Sequence, residues 1–96
     1  MIVDRRVFYI KAGHLEAAVQ LLVAEIKRVG HPTVRCYTAQ TGRFDTLAVE
    51  HEFASLAAYE NFWNTWSATP EAKAVLEKWQ PLNETGGTHE LWTLIE

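Results

Sequence analysis

The sequence predicts an α+β fold in which a four-stranded antiparallel sheet carries its helices on one face. Three observations carry this. Residues 14–29 and 56–79 repeat apolar side chains at helical spacing and sit between capping residues. Residues 33–41 and 44–53 alternate about a glycine turn, as two strands of a hairpin do. Residues 7–10 and 88–95, at the two ends of the chain, are apolar at both parities, which suits strands buried on both sides.

Val7-Phe8-Tyr9-Ile10 reads as a central strand, with Lys11-Ala12-Gly13 as the turn out of it. The helix over 14–29 places Leu15, Ala18, Val19, Leu22, Ile26 and Val29 on one side. Lys27 and Arg28 suit the negative end of its dipole, Gly30 the position after its last turn, and Pro32 stops continuation. Thr41-Gly42-Arg43-Phe44 fits a two-residue II′ turn. That turn sets Arg35 opposite Glu50, Tyr37 opposite Ala48 and Thr33 opposite Glu52 on one face. The other face pairs Val34 with His51, Cys36 with Val49 and Thr38 with Leu47, and this apolar side is expected to meet the helices. Ser55 is a candidate N-cap for a helix carrying Leu56, Tyr59, Trp63 and Trp66. Thr69-Pro70-Glu71 then restarts the helix, because a proline inside it would remove a hydrogen bond and clash. The second piece offers Ala72, Val75, Leu76 and Trp79, and Pro81 closes it. Residues 83–87 form a loop. In the last strand Leu91 and Ile95 share one side, Trp92 and Leu94 the other.

The chain of 96 residues is expected to be a single domain spanning 1–96. Hydrophobic residues make up 48% and Lys, Arg, Asp and Glu 22%, the balance of a globular chain rather than a disordered one. With a net charge of −3 and no basic cluster, nothing invites nucleic acid. No apolar run approaches the ~20 residues of a membrane helix, and no charge-then-apolar leader opens the chain. Cys36 is the single cysteine. A reducing cytoplasm suits it, and it permits neither an internal disulfide nor a thiolate metal site.

Strand, helix, strand, strand, helix, strand is the order of the ferredoxin-like βαββαβ arrangement, with the second helix broken near Pro70. One face of such a sheet lies bare, yet two strands send apolar side chains toward it. A second copy of the chain is the expected cover, giving a homodimeric α/β barrel. The element order, Lys11-Ala12-Gly13, the stretch Glu52-Phe53-Ala54-Ser55-Leu56-Ala57-Ala58-Tyr59-Glu60 and Glu90-Leu91-Trp92 together resemble dimeric α/β-barrel families. The chain most resembles small bacterial NIPSNAP-like proteins and, more distantly, antibiotic-biosynthesis-monooxygenase domains. The resemblance implies the barrel and a small-molecule site. It transfers no catalytic residue, and the wider superfamily spans cofactor-free monooxygenases, haem-degrading enzymes, isomerases and polyketide cyclases.

Candidate site residues gather on the polar face of the hairpin. Arg35 offers an anion-binding guanidinium, Tyr37 a phenol and Glu50 a carboxylate base, with Glu52 beside them. The competing reading is a cross-strand ion pair on a solvated edge, contributing less than ~1 kcal/mol. His51 and His89 lie on strands and are candidate ligand-binding groups, although His51 shares its face with Leu47, Val49 and Phe53 and also suits a hydrogen-bonded position at the core's edge. His14 and His31 fall at helix ends. No paired histidine motif accompanies them, so neither metal nor cofactor is expected. Trp63, Trp66, Trp79 and Trp92 are core or the wall of an aromatic pocket, with Trp66, beside the bend, the one expected to reach a cavity. Cys36 is expected on the apolar face as a small hydrophobe. Three functions follow: a small-molecule-binding barrel; a cofactor-independent monooxygenase or isomerase for an aromatic or polyketide-like substrate, using Tyr37 and Glu50 for proton transfer and Arg35 to hold an enolate; or a structural dimerisation module.

Overall fold

The computed structural model describes residues 1–95. Strand β1 (Ile2–Tyr9) leads to helix α1 (Leu15–Val29), then to β2 (Val34–Thr38) and β3 (Thr46–Phe53). Helix α2 (Leu56–Ser67) and helix α3 (Pro70–Trp79) follow, and a 3₁₀ turn (Gln80–Leu82) leads to β4 (Thr88–Thr93). The sheet is antiparallel in the order β2-β3-β1-β4, so the first and third strands are central. This is the ferredoxin-like order, and no helix among the described residues is long and apolar enough to cross a membrane.

The caps act as their chemistry requires. Ser55 Oγ accepts the N–H of Ala58 at 3.1 Å, and Thr69 Oγ1 accepts the N–H of Ala72 at 3.2 Å with Pro70 opening α3. The crossover is therefore broken between Ser67 and Pro70. Gly30 ends α1 with φ of 74°, in the left-handed region open to glycine. His14 precedes α1 but makes no side-chain cap.

The hairpin keeps its expected register, from Val34 opposite His51 to Thr38 opposite Leu47. Its connection is wider than a two-residue turn. The strands stop at Thr38 and Thr46, a last bond joins Ala39 N–H to Thr46 O at 3.1 Å, and Asp45 turns to a φ of 55°. The carbonyl of Asp45 is taken by the Ile10 N–H at 2.9 Å, which draws the loop toward β1 instead of closing it tightly. β1 also starts earlier than its apolar run suggests. Asp4, Arg5 and Arg6 are strand residues because their charges find partners on both faces.

Side-chain alternation sorts the sheet. Phe53, His51, Val49 and Leu47 on β3, with Asp4, Arg6 and Phe8 on β1, face the helices. Ile10, Ala18 and Leu47 centre the core, with Phe8, Leu15, Val19, Leu22, Trp79 and Leu82 packed around them. Cys36 shares this parity but is exposed, not a core hydrophobe, since edge strand β2 extends beyond the helices' cover. The opposite face bears Val3, Arg5, Val7, Glu50, Glu52, Arg35, Tyr37, Glu90 and Trp92.

Gly87, at the entry to β4, has φ of 101°, and a Cβ there would collide with the carbonyl oxygen of Val7. Gly87→Ala is expected to lose about 2 kcal/mol from the left-handed backbone alone. Urea unfolding measures this; a loss below about 0.5 kcal/mol would show that β4 can shift away freely.

Candidate functional site

Between the helix-facing side of the sheet and the helices lies a partly open cleft with about 170 Å³ of space. Phe62, Trp63, Trp66 and Trp79 supply aromatic walls, and Leu22, Ile26, Val34, Val49 and Val75 fill between them. Four polar side chains reach the lining: Arg6, Glu25, His31 and His51. Each is placed by a different element, so folding alone assembles them.

Asp4 anchors this side of the sheet. It is completely buried, and Trp63 Nε1–H donates to its Oδ2 at 2.9 Å. Arg6 Nε–H reaches both carboxylate oxygens at 3.3 Å, and His89 Nε2 lies 3.0 Å from Oδ1. Arg6 also stacks on the Trp63 ring with its guanidinium carbon 4.1 Å from the centroid. On the opposite wall Glu25 accepts from Trp66 Nε1 at 2.8 Å and from Arg28 at 2.6 and 2.7 Å. The Arg28 bonds hold its carboxyl below the ordinary range, against the opposing effect of burial. The indoles of Trp63 and Trp66 are thus fixed by buried or half-buried carboxylates.

His51 is 6% exposed, and its ring lies 5.3 Å from Trp63 and 5.3 Å from His31. Burial pushes its pKa down to about 4, more than the nearby Asp4 carboxylate restores; His31 and Arg6 lower it further. The imidazole is therefore neutral at pH 7. Its buried Nδ1 has no hydrogen-bond partner among the described residues, so the expected satisfied histidine at the core's edge is corrected. The cause is its company: Phe53, Phe62 and Trp63 offer it ring faces and edges instead of acceptors. His31 is likewise no helix cap. It turns inward onto Phe53 and Phe62 at 5.0 Å, accepts the Thr33 N–H on Nδ1 at 3.4 Å, and burial lowers its pKa.

The hairpin residues assemble elsewhere, on the opposite face of the sheet. Tyr37 Oη donates to Glu50 Oε1 at 3.0 Å, while Glu50 Oε2 takes Arg5 Nη1 at 3.0 Å. Arg35 stands opposite Glu50 in register, yet its guanidinium goes to Glu52 at 2.6 Å and stays 3.8 Å from Glu50. The Glu52 hydrogen bond raises the Arg35 pKa. A shallow depression beside this network is lined by Val3, Arg5, Glu50, Glu90, Trp92 and Leu94. The sequence candidates are thus split by the sheet: Arg35, Tyr37 and Glu50 on one side, Trp66 and His51 in the cleft on the other. His89 faces the cleft side but is engaged with Asp4 and lies 3.4 Å from Tyr59 Oη. Trp92 is on the open face and 56% exposed, so it is no part of an aromatic core.

Asp4, Arg6, Glu25 and His31 were not identifiable as site residues from sequence. The usable signal was Asp4-Arg5-Arg6 inside an otherwise apolar strand, which needs charge partners on both faces. Among the described residues no group of three or more His, Cys, Asp and Glu side chains converges as metal ligands.

Fold and cleft define a class, a ferredoxin-like α+β domain with an aromatic cleft between sheet and helices. The chain belongs to the NIPSNAP family, whose pattern matches residues 3–94. An uncharacterized NIPSNAP domain protein from Burkholderia xenovorans superposes with a TM-score of 0.87 at 16% identity, over 99% of this chain and 95% of that one. A NIPSNAP family protein from Agrobacterium tumefaciens gives 0.86 at 14%, over 99% and 93%. An antibiotic biosynthesis monooxygenase gives 0.77 at 14%, over 100% of both chains. At these identities the likeness shows the fold alone. No curated protein matches the sequence.

Proposed function

We propose that this chain is a small-molecule-binding protein that holds an apolar or aromatic ligand in the cleft and works as a homodimer. The observation that carries the reading is His51, neutral and walled by aromatic rings, with a buried Nδ1 that lacks a partner among the described residues. Such an atom costs about 1–3 kcal/mol unless something answers it, and a ligand's hydroxyl or carbonyl would. Size sets the ligand class. An apolar cavity of about 150 Å³ admits benzene, so about 170 Å³ suits one ring, with larger molecules extending through the open side.

Trp63, Trp66 and Trp79 line the space, so their fluorescence reads occupancy. Titration with p-cresol is expected to give a saturable change that Val75→Phe abolishes by filling the cleft. A response linear with concentration, or one the filled variant keeps, would sink the reading.

The dimer is supported by the open face, where Tyr37 is 44%, Leu94 47% and Trp92 56% exposed around the Arg5–Glu50 network. Sedimentation at micromolar concentration is expected to give a dimer and Trp92→Glu a monomer; a stable wild-type monomer would contradict it. In such a dimer Arg35, Tyr37 and Glu50 would line a chamber between the sheets. The fold shared with an antibiotic biosynthesis monooxygenase favours a second reading, cofactor-independent oxygenation or isomerisation of the bound ring. Dioxygen uptake with a hydroquinone tests the oxygenase arm. An exposed thiol at Cys36 suits the cytoplasm.

A further inference from the structure

We infer that Arg6 determines the specificity of the cleft and that the ligand is a single-ring aromatic carboxylate. This rests on the cleft reading above and names the charge the ligand carries. The charged side chains in the lining are Arg6 and Glu25, and their remaining capacities differ. Glu25 is occupied on both oxygens, each bonded to Arg28 and one also to Trp66. Asp4, the other carboxylate nearby, is buried beneath Trp63, Arg6 and His89. Each of these two carboxylates is already paired with a cation of this chain.

Arg6 is the reverse case. Asp4 takes its Nε–H, and Nη1 and Nη2 make no hydrogen bond among the described residues. The guanidinium carbon lies over the Trp63 ring, and that cation–π contact together with the Nε–H bond to Asp4 holds the head group in place. The side chain keeps 26% exposure, which leaves these donors reachable. The result is a pre-oriented fork beside a slot of one-ring size, and a fork matches a planar carboxylate with two parallel bonds. Asp4 and Trp63 therefore position Arg6, while the aromatic walls take the ring. The neutral His51 stands two residues along the same face, opposite Asp4 in register, and adds no positive charge at pH 7.

The test compares benzoate, benzyl alcohol and benzylammonium, which share a ring and differ in charge, by tryptophan fluorescence at pH 7. Benzoate is expected to bind about tenfold more tightly than benzyl alcohol, the ratio equivalent to one charge-assisted contact. Benzylammonium is expected to bind more weakly than either. Arg6→Gln is expected to bring the ratio of benzoate to benzyl alcohol affinity down to about one, and Arg6→Lys to restore part of the preference. Equal affinity of benzoate and benzyl alcohol in the native protein overturns the inference while leaving the cleft reading intact. So does an Arg6→Gln variant that still prefers benzoate. Absence of binding by all three probes overturns both. The comparison in the native protein decides the matter even if both variants fold poorly.

Discussion

Asp4→Ala is expected to destabilise the protein by about 3–5 kcal/mol, the cost of breaking a buried charge pair and leaving its partners unanswered. Asp4 is completely enclosed, so water cannot replace its oxygens at Trp63 Nε1 and Arg6 Nε. In a domain of this size that loss lowers Tm by roughly 12 °C or more. Asp4→Asn keeps an acceptor for Trp63 but removes the charge, and is expected to lie between wild type and alanine. Thermal melts by circular dichroism at one fixed protein concentration give the ranking. A loss below about 1 kcal/mol for alanine would mean that Trp63 and Arg6 find other partners, and that Asp4 does not hold the cleft wall.

The second large effect is on pH dependence. His51 in the unfolded chain takes a proton near 6.5, whereas burial holds the native group down to about 4. Between those values the unfolded state binds more protons, so stability rises with pH. The contribution is complete above pH 6.5 and is lost as pH falls through 4. The separation corresponds to about 3 kcal/mol. His31, also lowered by burial, adds in the same direction. Carboxylates also respond to acid, so the comparison is with His51→Phe, which keeps an apolar ring in the site. Urea midpoints from pH 7.5 to 4 are expected to fall steeply for the native protein and much less for the variant. Parallel profiles would show that His51 takes up its proton in the native state without strain.

The elements were legible because local chemistry writes them. Ser55 and Thr69 cap where their hydroxyls predicted, Gly30 turns left-handed, and the register from Val34–His51 to Thr38–Leu47 follows from alternation. The hairpin connection departs from a two-residue turn because its shape depends on a distant N–H, that of Ile10, which bonds the carbonyl of Asp45. Arg35 was paired with Glu50 by register, but Arg5 of β1 occupies that carboxylate and Arg35 takes Glu52. A two-strand view cannot include the third strand that competes for the same carboxylate.

The candidate site divides in the same way. Trp66 was traceable through the bend at Pro70, and it does line the cleft. The functional weight of Asp4 and Arg6 was hidden, since in sequence they look like charges that would keep a strand at the surface. His31 read as a helix-end residue because nothing local announces that β3 and α2 will bring Phe53 and Phe62 against it.

By itself the sequence determined the elements, the caps at Ser55 and Thr69 and the register of the hairpin, which follow from spacing and backbone chemistry over a few residues, and it carried the resemblance to the family. Only the tertiary structure decided which carboxylate each cation meets, which face of the sheet each candidate joins, and that a neutral histidine and an arginine fork share one cleft. Those outcomes depend on competition among side chains from different elements, and the winner is set by distance and by access to water once the layers close.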